Sequence, residues 1–160
     1  MNISIITFTE NGTKLAEKIR QAFVGTKTEE AKKLGLSLSD WTRQQFAEKN
    51  AIVVIGACGI AVRMIAPFVS DKLSDSPVVV ADEAGTFVIP LLSGHMGGAN
   101  ELAEQIAGQI GGIPVITTAT DVNHTFSVDV FAKKCGLSFI TGRGSQKSQP
   151  KYWMEKRRIL

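Results

Sequence analysis

The sequence predicts an α/β domain with an open, mainly parallel sheet flanked by helices in a Rossmann-like three-layer arrangement. Three observations carry this expectation. Short β-branched runs such as Ala51–Ile55 and Val78–Ala81 alternate with segments of helical periodicity. The runs are apolar at nearly every position, as strands covered on both faces are. Glycine-bearing loops stand between strands and the helices that follow them, where open α/β sheets hold their ligands.

Ile3–Thr9 reads as a buried first strand and Asn11-Gly12 as the turn after it. Leu15, Ile19 and Phe23 then share one face of a helix over Lys14–Phe23, which Gly25 ends. Thr28–Lys33 and Asp40–Glu48 read as two short helices with Leu34–Leu38 between them. Ser39-Asp40 would cap the second, and Trp41 and Phe46 would give it apolar contacts. Ala51–Ile55 is the central strand. Gly56–Gly59 turns the chain into a helix over Ile60–Ala66 that Pro67 stops. Val78–Ala81 is the next strand, and Glu83-Ala84-Gly85 makes a hairpin into Thr86–Leu91. Ser93–Gly98 is a glycine-rich loop leading to a helix over Ala99–Ile110, with Leu102, Ile106 and Ile110 on one stripe and Gly111-Gly112 at its end. A strand over Pro114–Thr117, a helix over Ser127–Lys134 and a strand over Leu137–Ile140 complete a domain of residues 1–140.

Apolar content of 44% and charged content of 21% over 160 residues are ordinary for a globular protein with a sizeable core. The longest apolar stretches, around Ile52–Ile55 and Phe87–Leu92, are too short to span a bilayer. The first residues lack a basic region and a small-residue cleavage site, so a cytoplasmic protein without a membrane partner is expected. Cys58 and Cys135 lie far apart and make no metal-binding or disulfide pattern; two free thiols and no protein-bound metal are expected. The net charge of +3 arises in residues 141–160, where Arg143, Lys147, Lys151, Lys156, Arg157 and Arg158 stand against Glu155 alone. A nucleic-acid partner would rest on that tail and is not expected. The sequence leaves the oligomeric state open.

Three loops could carry chemistry. In Gly56-Ala57-Cys58-Gly59-Ile60-Ala61-Val62-Arg63, glycines permit a tight turn, a helix N-terminus favours an anion, and Arg63 could pair with a carboxylate or phosphate. The spacing is neither G-x-G-x-x-G nor a Walker motif. A plain strand-to-helix turn with a solvated Arg63 and an inert, packed Cys58 explains it equally. In Ser93-Gly94-His95-Met96-Gly97-Gly98-Ala99-Asn100, three glycines surround a histidine at the entry to a long helix. Histidine exchanges protons near neutral pH, and Ser93 could act as nucleophile or donor. Ser-Gly-His is not a hydrolase nucleophile elbow, and a helix cap with a structural histidine is the plainer alternative. In Thr117-Thr118-Ala119-Thr120-Asp121, a strand ends in hydroxyls and a carboxylate that suit a polar ligand rim or the caps of a turn. Asp82 and Glu83 shape the hairpin, although Asp82 at a strand end could reach a cleft; His124 reads as a surface residue.

Taken together, these stretches resemble the N-terminal region of the cobalt-precorrin-5A hydrolase (CbiG) family. The resemblance runs from Met1 to about Ile140. It rests on Gly59-Ile60-Ala61-Val62-Arg63-Met64-Ile65-Ala66-Pro67, Asp71-Lys72, Pro77-Val78-Val79-Val80, Leu91-Leu92-Ser93-Gly94-His95, Gly97-Gly98-Ala99-Asn100 and Val115-Ile116-Thr117-Thr118-Ala119-Thr120-Asp121. It implies a reaction of cobalamin biosynthesis: water opens a lactone on cobalt-precorrin-5A, and acetaldehyde is released to give cobalt-precorrin-5B. The cobalt is carried by the substrate, so no cofactor is implied; the partners implied are the cobalt-corrinoid and other enzymes of the pathway. On this reading His95 is general base or acid, and Ser93 with the loop N–H groups stabilises an oxyanion. Gly56, Cys58, Gly59, Arg63, Gly94, Gly97, Gly98, Asn100, Thr117, Thr118, Thr120 and Asp121 would line one cleft for the substrate's carboxylate arms, with Arg63 and two helix N-termini facing it.

The chain departs from the family after Ile140. Residues 141–160 form an atypical basic tail with Tyr152 and Trp153 and no regular periodicity. The codons of Trp153-Met154-Glu155, read two nucleotides in, give Asp-Gly, which suggests a frameshift near Gly142 and a shortened enzyme. An inactive corrinoid-binding domain is the alternative to an active hydrolase.

Overall fold

The computed structural model describes residues 2–71, 74–95 and 97–119. Contacts divide the chain into Met1–Thr118 and Ala119–Leu160, and every element of the described fold lies in the first unit. The expected helix at Ser127–Lys134, the strand at Leu137–Ile140, the boundary at residue 140, the tail, and Thr120 and Asp121 lie outside the described residues.

The elements are β1 (Ile3–Thr7), α1 (Glu10–Ala22), β2 (Lys27–Glu30), α2 (Leu38–Ala47), β3 (Ala51–Ile55), α3 (Cys58–Ile65), β4 (Val78–Ala81), β5 (Phe87–Leu92), α4 (Ala99–Ile110) and β6 (Ile113–Pro114), with 3-10 turns at Ala31–Lys33 and Ala66–Phe68. The strands form one sheet in the order β2-β1-β3-β4-β5-β6. β1 to β4 are mutually parallel, β5 runs antiparallel to β4, and β6 runs parallel to β5. This is the open, mainly parallel α/β sheet that the sequence predicts.

Alternation along the strands builds the three layers, because successive strand side chains point to opposite faces. Ile3, Ile5, Val53, Ile55, Val79 and Ala81 pack on one face with Leu15 and Ile19 of α1 and Leu102 and Ile106 of α4. Ile6, Ile52, Val54, Val78 and Val80 pack on the other with Trp41 of α2 and Met64 and Ile65 of α3. Each large side chain taken from water in this way contributes about 1.5–3 kcal/mol. Truncating fully buried Ile5 to alanine would cost about 2–5 kcal/mol, since the close-packed centre of the sheet cannot collapse around the cavity.

Several elements differ from expectation. Residues 28–33 were expected to be helical, but Lys27–Glu30 is an edge strand paired in register with Ser4–Thr7. Its charged sequence carries no strand signal; the free edge of β1 supplies the hydrogen bonds that extend it. Asn11-Gly12 lies inside α1. Thr9 caps that helix by accepting the Gly12 N–H at 3.0 Å, and the missing Cβ of Gly12 lets the helix start close against Ile55. Ser37, and not Ser39-Asp40, caps α2: its Oγ accepts the Asp40 N–H at 3.0 Å and donates to the Asp40 carboxylate at 2.7 Å. The last described strand is Ile113–Pro114, two residues where four were expected.

Candidate functional site

The direction of β5 decides the geography of the site residues. Leu92, the last residue of β5, pairs with Val78, the first of β4. The loop after β5 therefore lies at the end of the sheet where the parallel strands begin. The loop after β3 lies where they finish. The Gly56–Arg63 and Ser93–Asn100 loops occupy opposite poles, separated by the length of β3, about 16 Å at 3.3 Å per residue. The single cleft expected from the sequence is not formed, and the two helix N-termini do not face one another. The physical cause is the β4–β5 hairpin, which reverses the chain before the second loop.

At the carboxyl pole, β1 has β2 on one side and β3 on the other, so the strand order reverses there. Such switch points open crevices in α/β sheets. A cavity of about 430 Å³ lies at this end, lined by Thr7, Phe8, Thr13, Lys14, Glu30 and Lys32 among others. Thr7 and Thr13 share a hydroxyl hydrogen bond of 3.0 Å. None of these residues was singled out from the sequence; the signal available was the hydroxyl run that ends β1. Gly56 and Gly59 begin the neighbouring turn into α3, whose cap residue Ala57 offers no side-chain hydrogen bond. Cys58 is half-buried and packs against the core face formed with α2 and α3. Arg63 is exposed and folds back along α3, donating to the Gly59 carbonyl at 3.1 Å. Asp82 organises the hairpin at this pole. Its carboxylate accepts the N–H groups of Ala84, Thr86 and Phe87. Burial opposes ionisation of Asp82, yet these three bonds outweigh it and hold the carboxyl below its usual range.

At the amino pole the glycine loop closes tightly on itself. Ser93 adopts a left-handed backbone, with φ of 57°. Its carbonyl accepts the Ala99 N–H at 3.2 Å, and the Gly94 carbonyl accepts the Asn100 N–H at 3.1 Å. Two N–H groups at the start of α4, expected to face an anion, thus close the loop. A Cβ on Gly94 would stand 2.6 Å from Asn100 Oδ1, and one on Gly97 would strike Ser93. Gly97 requires glycine for lack of space, because its Cβ would meet the Ser93 backbone; at Gly94 the Asn100 amide would have to shift. Gly98 caps α4 at φ of 90°, a conformation that glycine adopts without strain. His95 sits half-buried at the turn of this loop.

The Ser93 hydroxyl donates to the carbonyl of Asp75 at 3.0 Å. A hydroxyl has one proton, so in this arrangement Ser93 has none to give to an oxyanion. Asn100 Nδ2 donates to Thr118 Oγ1 at 2.6 Å, which brings the start of α4 and the end of the following strand segment together. Thr117 is exposed beside it. The structure thus unites Ser93, Gly94, His95, Gly97, Gly98, Asn100 and Thr118, and leaves Gly56, Cys58, Gly59 and Arg63 at the other pole. Among the described residues, no group of three or more His, Cys, Asp or Glu side chains converges as metal ligands. No described helix is long and apolar enough to cross a membrane.

Sheet and loops define an α/β domain with a mixed six-stranded sheet and a glycine-closed histidine loop at the amino pole. The chain belongs to the family described as Cobalamin synthesis G N-terminal, whose profile matches residues 40–121. That segment contains all the site residues expected from the sequence. The chain is 44% identical over 138 residues to the cobalt-precorrin-5A hydrolase of Salmonella typhimurium, covering 82% of this chain and 39% of that protein. It is 48% identical over 91 residues to the cobalt-precorrin-5A hydrolase of Priestia megaterium, covering 57% of this chain and 24% of that protein. A crystal structure of a cobalamin biosynthesis protein G homolog from Sulfolobus solfataricus has the same fold, with a TM-score of 0.58 at 23% identity over 91% of this chain and 44% of that one. The chain thus spans about two-fifths of the length of the Salmonella relative it matches.

Proposed function

We propose that this chain supplies the N-terminal module of a cytoplasmic enzyme that hydrolyses cobalt-precorrin-5A, opening its lactone and releasing acetaldehyde on the way to cobalt-precorrin-5B. The names of two relatives that are 44% and 48% identical support the reaction class. The observation that carries the reading to particular residues is the closed loop at the start of α4, which holds His95 half-buried within the segment shared with the family.

On this reading the chemistry belongs to the amino pole. The His95 imidazole takes a proton from water, and the resulting hydroxide adds to the lactone carbonyl. The tetrahedral adduct collapses with cleavage of the acyl C–O bond. The freed alkoxide carries the carbon whose C–C bond then breaks, so that acetaldehyde leaves and the ring carbon keeps the electron pair until it is protonated. Asn100 and Thr118, joined by their hydrogen bond, supply polar groups at the same pole. Ser93 serves as an anchor of the loop, because its proton is committed to the Asp75 carbonyl. The cobalt travels with the substrate.

Acetaldehyde release from purified cobalt-precorrin-5A tests the reading with this chain alone. Release that disappears in His95→Ala supports it. Binding of the corrinoid without release favours a domain that holds the substrate for groups supplied elsewhere. Full activity in His95→Ala overturns the base assignment.

A further inference from the structure

We propose that Asp75, in the loop between α3 and β4, is a positioning residue for His95. The inference rests on the reading of His95 given above and adds a residue argued to act through Ser93.

Asp75 is 8% exposed, and it lies in a polar loop where a buried carboxylate needs a reason to persist. Its two carboxylate oxygens accept the Ser70 N–H at 3.1 and 3.2 Å, and one also accepts the Ser70 hydroxyl at 3.0 Å. Its own N–H donates to the Asp71 carbonyl at 2.9 Å. The carboxylate thus ties Asp75 back to Ser70. The Asp75 carbonyl accepts the Ser93 hydroxyl. Ser93 in turn takes the first N–H of α4 and is packed against Gly97. His95 stands between those two contacts, two residues from Ser93. A rigid first layer of catalytic groups needs a second layer that locks it. Here that second layer is a buried carboxylate acting through one main-chain carbonyl.

Asn at position 75 has nearly the same shape but carries a donor where Asp has an acceptor. It cannot accept the Ser70 N–H with both atoms, so the tie between Ser70 and Asp75 loosens and the Asp75 carbonyl moves. Ser93→Ala removes the same link from the other side and leaves the Asp75 carboxylate intact. The full chain, labelled with 15N-histidine, gives ring signals from the two histidines of the sequence, and His95→Ala identifies which is which. Asp75→Asn and Ser93→Ala are both expected to move or broaden the His95 ring signals while leaving those of His124 in place. Where acetaldehyde release is measured, both should lower kcat by roughly 10- to 100-fold with KM little changed, since misplacement by about 1 Å costs rate on that scale. The double variant should be no worse than the more affected single variant, because both substitutions break one link. His95 signals unchanged in a folded Ser93→Ala protein would overturn the proposal. So would additive losses in the double variant. Failure of the catalytic reading is seen separately, as full activity in His95→Ala, and leaves the spectroscopic test of positioning in force.

Discussion

The two poles of the sheet are built from the same materials and do different things with them. Each has a glycine turn at a strand end, a helix start and an aspartate that collects backbone N–H groups. At the carboxyl pole, Asp82 spends its carboxylate on its own hairpin, and Arg63 lies along its own helix on the Gly59 carbonyl. The cavity there is open and lined by threonine and lysine side chains. At the amino pole, the Asp75 carbonyl is bonded across to Ser93, and Gly97 is closed to a side chain by the Ser93 backbone. One pole holds local turns around an open space. The other is a set of interlocking loops with a half-buried histidine at their turn. Catalysis needs groups held to close tolerance by their surroundings, and that contrast is the ground on which we propose the chemistry at the second pole.

The sharpest test of that contrast is His95→Ala. Removal of a general base is expected to lower acetaldehyde release by about 10²- to 10⁴-fold. Thermal unfolding should be nearly unchanged, because the side chain is only half-buried. Next in size is Gly97→Ala. Its Cβ would strike Ser93, and overpacking of this kind costs about 1–3 kcal/mol. Urea unfolding should show that loss together with lost activity, whereas a substitution at Gly59, with 3.4 Å to the flexible Arg63 side chain, should cost little of either.

Thr9→Ala removes the α1 cap and the 2.6 Å bond from Thr9 to Glu83 at the carboxyl pole. A loss of about 1 kcal/mol in urea unfolding is expected, with activity intact. The aspartates give a pH test of both poles. Asp75 and Asp82 are held below the ordinary Asp value: burial opposes ionisation in each, and hydrogen bonds from nearby backbone N–H groups outweigh it. A lowered folded pKa means stability that is complete above the unfolded value of about 3.9 and lost as pH falls through the folded values. Urea midpoints should therefore drop on acidification in that range. Asp75→Asn and Asp82→Asn should each flatten part of the drop, additively, since they lie at opposite poles. The smallest effect is expected for Arg63→Ala, which should leave kcat/KM within about twofold, as for a surface substitution remote from the site. A large loss there would join the poles into one site and break the comparison.

Local sequence determined much of the framework. Ala51–Ile55, Val78–Ala81 and Ala99–Ile110 have the bounds their patterns predict, because a strand covered on both faces must be apolar throughout and a helix ending on Gly111 carries its own stop. The glycine loop at the entry to α4 was legible as well, but the reasons for its glycines were not: Gly97 lacks space against Ser93, and Gly98 takes a left-handed backbone. The sequence did not determine β2, whose charged residues become a strand because β1 offers an unpaired edge. Nor did it reveal Asp75, whose meaning lies in a hydroxyl 18 positions away. The division into two poles was half legible. The hairpin at Glu83-Ala84-Gly85 was read correctly, but its consequence, that the following strand ends at the opposite side of the sheet, belongs to the register of β4 with β5. Residue types and spacing are local properties of the chain; which loops meet depends on strand direction, and only the assembled sheet decides that.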